Sequence, residues 1–155
     1  MKRTLLPLAG ALTLGMITLQ PVHADYSVEQ LHGLLDRSAE YGFTYFKDID
    51  IDDDGQAEVE GWLQGDSRAE VKFSSQGAIV EEKSKRDRER KHSMNDSDIR
   101  AAVQAAAGEG LVRIEDIDVN RKEIIEIDGK TAEGKDIEVH VRQGSSEVVK
   151  VDRDD

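Results

Sequence analysis

Residues able to do chemistry are spread thinly through this chain. Beyond the N-terminal segment the histidines are His32, His92 and His140, and no two stand four apart, the helical spacing at which metal-dependent hydrolases present paired imidazoles. Cysteine is absent, which removes a thiolate zinc site, a disulfide framework and a thiol nucleophile together. Serines are common, yet none lies in a Gly-x-Ser-x-Gly elbow. Carboxylates abound, and because the pairs that hydrolyse glycosides are assembled by folding, their sequence positions neither make nor exclude that chemistry. Short loops leave little with which to build a substrate pocket, so the chain is read as non-catalytic.

One acidic stretch has the spacing of a cation loop. Asp50-Ile51-Asp52-Asp53-Asp54-Gly55 matches the first half of an EF-hand, with Asp50, Asp52 and Asp54 as alternate oxygen ligands and Gly55 at the sharp turn. The second half does not follow. Gly61 stands where the bidentate Glu belongs, and Ala57 where a larger aliphatic is usual. An acidic hairpin turn is the first reading, and a cation-responsive protein binding Ca2+ weakly there is the alternative. No other cofactor is expected.

The elements that must position these residues emerge from charge and alternation. A net charge of -12 would repel a polyanion at every encounter, which excludes a general nucleic-acid binder. Charged residues at 35% and aromatics at 5% resemble a disordered composition, and patterning decides against it. Ile49 and Ile51, then Val59, Gly61 and Leu63, then Ala69, Val71 and Phe73 fall at every second position, as do Ile125 and Ile127, Ile137, Val139 and Val141, and Val149 and Val151. That is the signature of strands buried on one face. Trp62 falls in the opposite phase, beside Glu58 and Glu60. It is read as a partner-binding hot spot, with packing on Tyr45 or Phe46 in its own sheet as the competing reading.

Sliding the chain on itself by 68 positions reveals an internal repeat. Asp48-Ile49-Asp50-Ile51 falls on Asp116-Ile117-Asp118-Val119, Glu58-Val59-Glu60-Gly61 on Glu126-Ile127-Asp128-Gly129, and Leu31, Leu35 and Ala39 on Ile99, Val103 and Ala107. The fold expected is α+β, with two tandem modules of α-β-β-β and a fourth strand near Ile79 to Glu82. Each module lays an amphipathic helix on an antiparallel sheet. Module 1 spans 25–83, a charged linker 84–94, and module 2 spans 95–155. Ser27 with Gln30 makes a capping box before Val28, Leu31, Leu34, Leu35 and Ala39, and Asn95 caps the stripe of Ile99, Ala102, Val103 and Ala106. Lys130 takes the place of Trp62, so a binding face would be asymmetric and hold one partner. The linker is the one basic stretch. It reads as a solvated connector between acidic units, or as a docking strip for an acidic partner or anionic surface.

The first residues read as a secretory signal. Lys2 and Arg3 precede an apolar run from Leu5 to Leu19, and Val22-His23-Ala24 offers a cleavage site. The run is shorter than the roughly 20 residues a bilayer span requires. Cleavage near Ala24 would leave a protein with no membrane span in the periplasm or outside the cell.

The helix ending at Gly42, the Asp-Gly turn, Ala57 to Gly61, Arg68 to Phe73 and Gly77 to Val80, repeated through Glu126 to Gly129, Gly134 to Val141 and Gly144 to Val149, resemble the PepSY domain. Ser74-Ser75-Gln76-Gly77 and Arg142-Gln143-Gly144-Ser145 depart from the Asp or Asn, Pro and Gly usual before its last strand. The family is similar in shape to the tandem units of the β-lactamase inhibitory protein, whose joined sheets grip another protein. The resemblance implies a protein-binding module that restrains a partner, a peptidase among the candidates. It brings no catalytic residues.

Overall fold

The computed structural model describes residues 26–154, so the signal segment and its cleavage site fall outside the described residues. Helix α1 (Val28–Tyr41) starts where Ser27 Oγ accepts from the Gln30 amide at 3.2 Å and Gln30 Oε1 accepts from the Ser27 amide at 2.9 Å. Helix α2 (Asp96–Gly108) repeats the device with Asn95 and Asp98, at 2.8 and 3.2 Å. Each box satisfies amides that a helix start leaves free. The apolar stripes then go inward: Leu31, Leu34 and Leu35 from α1, and Ile99, Ala102, Val103 and Ala106 from α2, are all buried. Ala39 does not join them. It is exposed, and buried Ser38 takes its place by donating to the Leu34 carbonyl at 2.8 Å.

Four strands follow each helix: β1 (Phe43–Ile51), β2 (Ala57–Leu63), β3 (Ser67–Phe73) and β4 (Ile79–Arg86), then β5 (Leu111–Val119), β6 (Ile124–Thr131), β7 (Asp136–Arg142) and β8 (Val148–Arg153). The fold is α+β. All eight strands join one antiparallel sheet in the order β4-β3-β2-β1-β5-β6-β7-β8. At the β1–β5 seam Ile49 lies opposite Ile117, flanked by Asp48 opposite Asp118 and Asp50 opposite Asp116. Helices and inward residues from both halves share one apolar core.

Bulges in β1 and β5 shape the seam. After a register shift Phe46 faces Gly61, and Ile114 faces Gly129. A Cβ on Gly61 would stand 2.2 Å from the Tyr45 carbonyl oxygen, and one on Gly129 would stand 1.9 Å from that of Arg113. Only glycine fits beneath either bulge. The bulges also turn Phe43, Phe46 and Ile49, and Leu111, Ile114 and Ile117, inward at intervals of three.

The halves interlock. Tyr26, ahead of α1, exchanges backbone hydrogen bonds with Ile114 of β5, and Met94, ahead of α2, does the same with Phe46 of β1. Residues 84–94 therefore do not form a free linker. Ser84 to Arg86 finish β4, the Asp87 amide donates to the Asp66 carbonyl at 2.8 Å, and Arg90 donates to the Gly65 carbonyl at 2.9 Å while stacking on Tyr45. Among the described residues no helix is long and apolar enough to cross a membrane.

Candidate functional site

The face of the sheet away from the helices carries the chemistry, because every second residue of each strand must point there. Register aligns these residues into two rows that cross all eight strands. One row runs Lys83, Glu70, Glu60, Asp48, Asp118, Glu126, His140, Lys150. The other runs Glu81, Lys72, Glu58, Asp50, Asp116, Asp128, Glu138, Asp152. Lysines end the first row, Lys72 is the one base of the second, and the centre of both is unbroken carboxylate.

Crowding alters how those central acids ionise. Burial, then Asp118 and Glu60, push Asp48 up to about 6, against a pull from Lys47. Burial, then Asp48, Asp118 and Asp50, push Asp116 up to about 7. Asp118, Asp128 and Glu58 are raised as well, each first by burial and then by a neighbouring carboxylate, Glu126, Glu138 and Glu70 respectively. Towards the first edge the acids are compensated: Glu60 binds Arg68 at 2.5 Å and Lys47 at 3.3 Å, and Glu70 binds Lys83 at 2.9 Å.

Of the residues singled out from sequence, Glu58 and Glu60 lie on this face, half-buried within the rows. Trp62 shares their phase and stands outside the apolar core, yet it is 1% exposed, so it offers no hot spot. The Arg68 guanidinium caps its ring, 5.1 Å from the centroid, and Tyr45 lies opposite it in register. Phe46, the other residue named as its packing partner, lies in the core on the other face. Lys130 is engaged by Asp136 and, at 3.4 Å, by Glu115.

The acidic turn does not gather its carboxylates. Asp52 is held by Lys72 at 2.5 Å, and Asp54 accepts from the Gln56 amide and side chain at 3.1 and 2.6 Å. Asp50 lies on the seam, opposite Asp116. Among the described residues, the acids and histidines that converge as ligands do are Glu126, Glu138 and His140, all with donor atoms within 4.8 Å of one another. In the sequence, His140 has no second histidine at helical spacing to mark it. Its in-phase placement beside Glu126 and Glu138 was the signal, readable only once β6 and β7 are in register.

Two grooves open at equivalent places in the halves. In the first, of about 190 Å³, Arg68, Lys83 and Lys85 outnumber Glu60 and Glu70. The other, of about 360 Å³, sets Glu115, Asp128, Asp136, Glu138 and Asp152 around Arg153. The two grooves thus differ in sign, mixed with a basic excess beside β4 and negative beside β7 and β8.

No family model and no curated protein matches the chain. Among solved structures it is similar to the crystal structure of a "putative lipoprotein" from Clostridium difficile 630, at 13% identity and a TM-score of 0.49, over 89% of this chain and 98% of that one.

Proposed function

We propose that the chain is a non-catalytic protein-binding module of the periplasm or extracellular space, built from two copies of one helix-and-four-strand unit, and that its carboxylate face receives a cationic partner protein. One observation carries the reading. Asp48, Asp50, Asp116 and Asp118 confront one another across the seam, although like charges set directly opposite in a sheet cost stability. Packing gains nothing from that repulsion, whereas a surface kept ready for positive charge does.

The shared 68-residue offset of seam, bulge, glycine and capping box supports duplication of one unit. The N-terminal sequence supports export, and the PepSY resemblance makes a secreted peptidase, restrained by the chain, the partner class to try first. Crosslinking in cell extract with mass spectrometry, run beside the double variant Asp48→Asn, Asp116→Asn, tests this. Wild-type protein should recover a basic protein that raised salt releases, and the variant should lose it while folding at least as stably. Equal recovery by both, or recovery of nothing, overturns the reading.

A further inference from the structure

His140 occupies an unusual seat. Its side chain is 14% exposed, and carboxylates surround it: Glu126 Oε1 lies 3.6 Å from Nδ1, and Glu138 Oε1 and Asp152 Oδ2 lie 2.7 and 3.9 Å from Nε2. Despite that proximity Nε2 is closed to solvent and makes no hydrogen bond. In the same row Asp118 Oδ1 is also buried without a donor. Buried polar atoms without partners are rare in folded proteins, and one on an imidazole set among carboxylates is an atom that a bound ion would satisfy.

The geometry suits a single ion. Donor atoms of Glu126, Glu138 and His140 all fall within 4.8 Å of one another, a spread that ligands about 2.0–2.2 Å from one cation can close with small side-chain adjustments. Asn120 Nδ2 donates to Glu126 Oε1 at 2.5 Å, the kind of outer contact that orients a carboxylate ligand. The first half supplies a control. There the offset puts Lys72 where His140 stands, and its ammonium, 2.5 Å from Asp52, is a built-in cation. An imidazole in that place can instead lend a lone pair to a metal.

We propose that Glu126, Glu138 and His140 form a site for one first-row divalent cation of the zinc class. The nitrogen donor favours Zn2+ over Ca2+ and Mg2+, which prefer all-oxygen sites. The site is independent of the protein-binding reading, because titrating metal alone requires no partner.

Calorimetric titration of the protein with ZnCl2 tests it. One zinc per chain is expected, together with a higher melting temperature in excess zinc. His140→Lys, which installs the residue type of the first half, and Glu138→Gln should each weaken zinc binding by more than about tenfold. Asp54→Asn, in the acidic turn, should leave it unchanged. If circular dichroism shows that His140→Lys does not fold, Glu138→Gln alone decides. Absent binding, wild-type affinity in the folded variants, or displacement of zinc by an equal concentration of Ca2+ overturns the proposal.

Discussion

The four strands on either side of the β1–β5 seam carry different residues at matching cross-strand pairs, and one such pair sets the character of its groove. Trp62 lies opposite Arg68 on β2 and β3, and at the same place on β6 and β7 Lys130 lies opposite Asp136. In the first half a guanidinium stacks on an indole and reaches Glu60 at 2.5 Å and Asp87 at 3.6 Å. In the second an ammonium is bound by Asp136 and Glu115. Neighbouring grooves inherit the difference: Arg68 helps to make one basic, and Asp136 helps to make the other acidic. Alternation and bulge geometry fix where a groove forms, whereas single residues set its sign. The first half is consequently sealed over its own aromatic, and the second is left facing solvent with negative charge.

The largest test of equivalence is at the bulges. Gly61→Ala and Gly129→Ala each drive a methyl into a carbonyl oxygen of the neighbouring strand, so each should cost more than about 3 kcal/mol in urea unfolding. Similar losses in both halves would sharpen the comparison. Tolerance of one alone would break it. Next in size is Trp62→Ala, which empties a fully buried site and should cost about 3 kcal/mol. Lys130→Ala removes only partly exposed ion pairs and should cost less than about 1 kcal/mol. Near-equal losses from these two would mean that Trp62 contributes no more packing than a surface lysine.

How much of the fold is legible in the sequence depends on the range of the forces involved. Caps and regular strands are local, and Ser27, Asn95, Val59, Val71, Ile127 and Val139 sit as their periodicity requires. The offset placed Ile49 and Ile117 alike, and they are direct neighbours, both fully buried. Phe43, Phe46, Leu111 and Ile114 were harder, because a bulge spaces inward residues by three and hides a strand from a search at period two. Trp62 had the right phase and the wrong exposure, since its cover arrives from the far side of a hairpin. The acidic turn looked like a cation loop until Lys72 arrived from β3 to occupy Asp52. Residues 84–94 had the composition of a solvated linker, and their anchors at Gly65, Asp66 and Phe46 are visible only in three dimensions.

The last test bears on the seam, where the halves meet with like charge. Asp48 and Asp116 titrate in the folded protein at about 6 and about 7, above the ordinary 3.8 that the unfolded chain should show. Between those values the folded state holds protons that the unfolded state has released, so stability falls as pH rises through that window. Wild-type protein should therefore melt several degrees higher at about pH 5.5 than at about pH 8. Asp116→Asn removes one opposed charge and should add about 1 kcal/mol at the higher pH and little at the lower. Asp48→Asn should add less, because Lys47 already relieves Asp48, and the offset places Glu115 where a base would be needed to do the same for Asp116. A melting temperature independent of pH over this range, or equal gains from the two variants, would mean that the opposed carboxylates do not feel one another as their register implies.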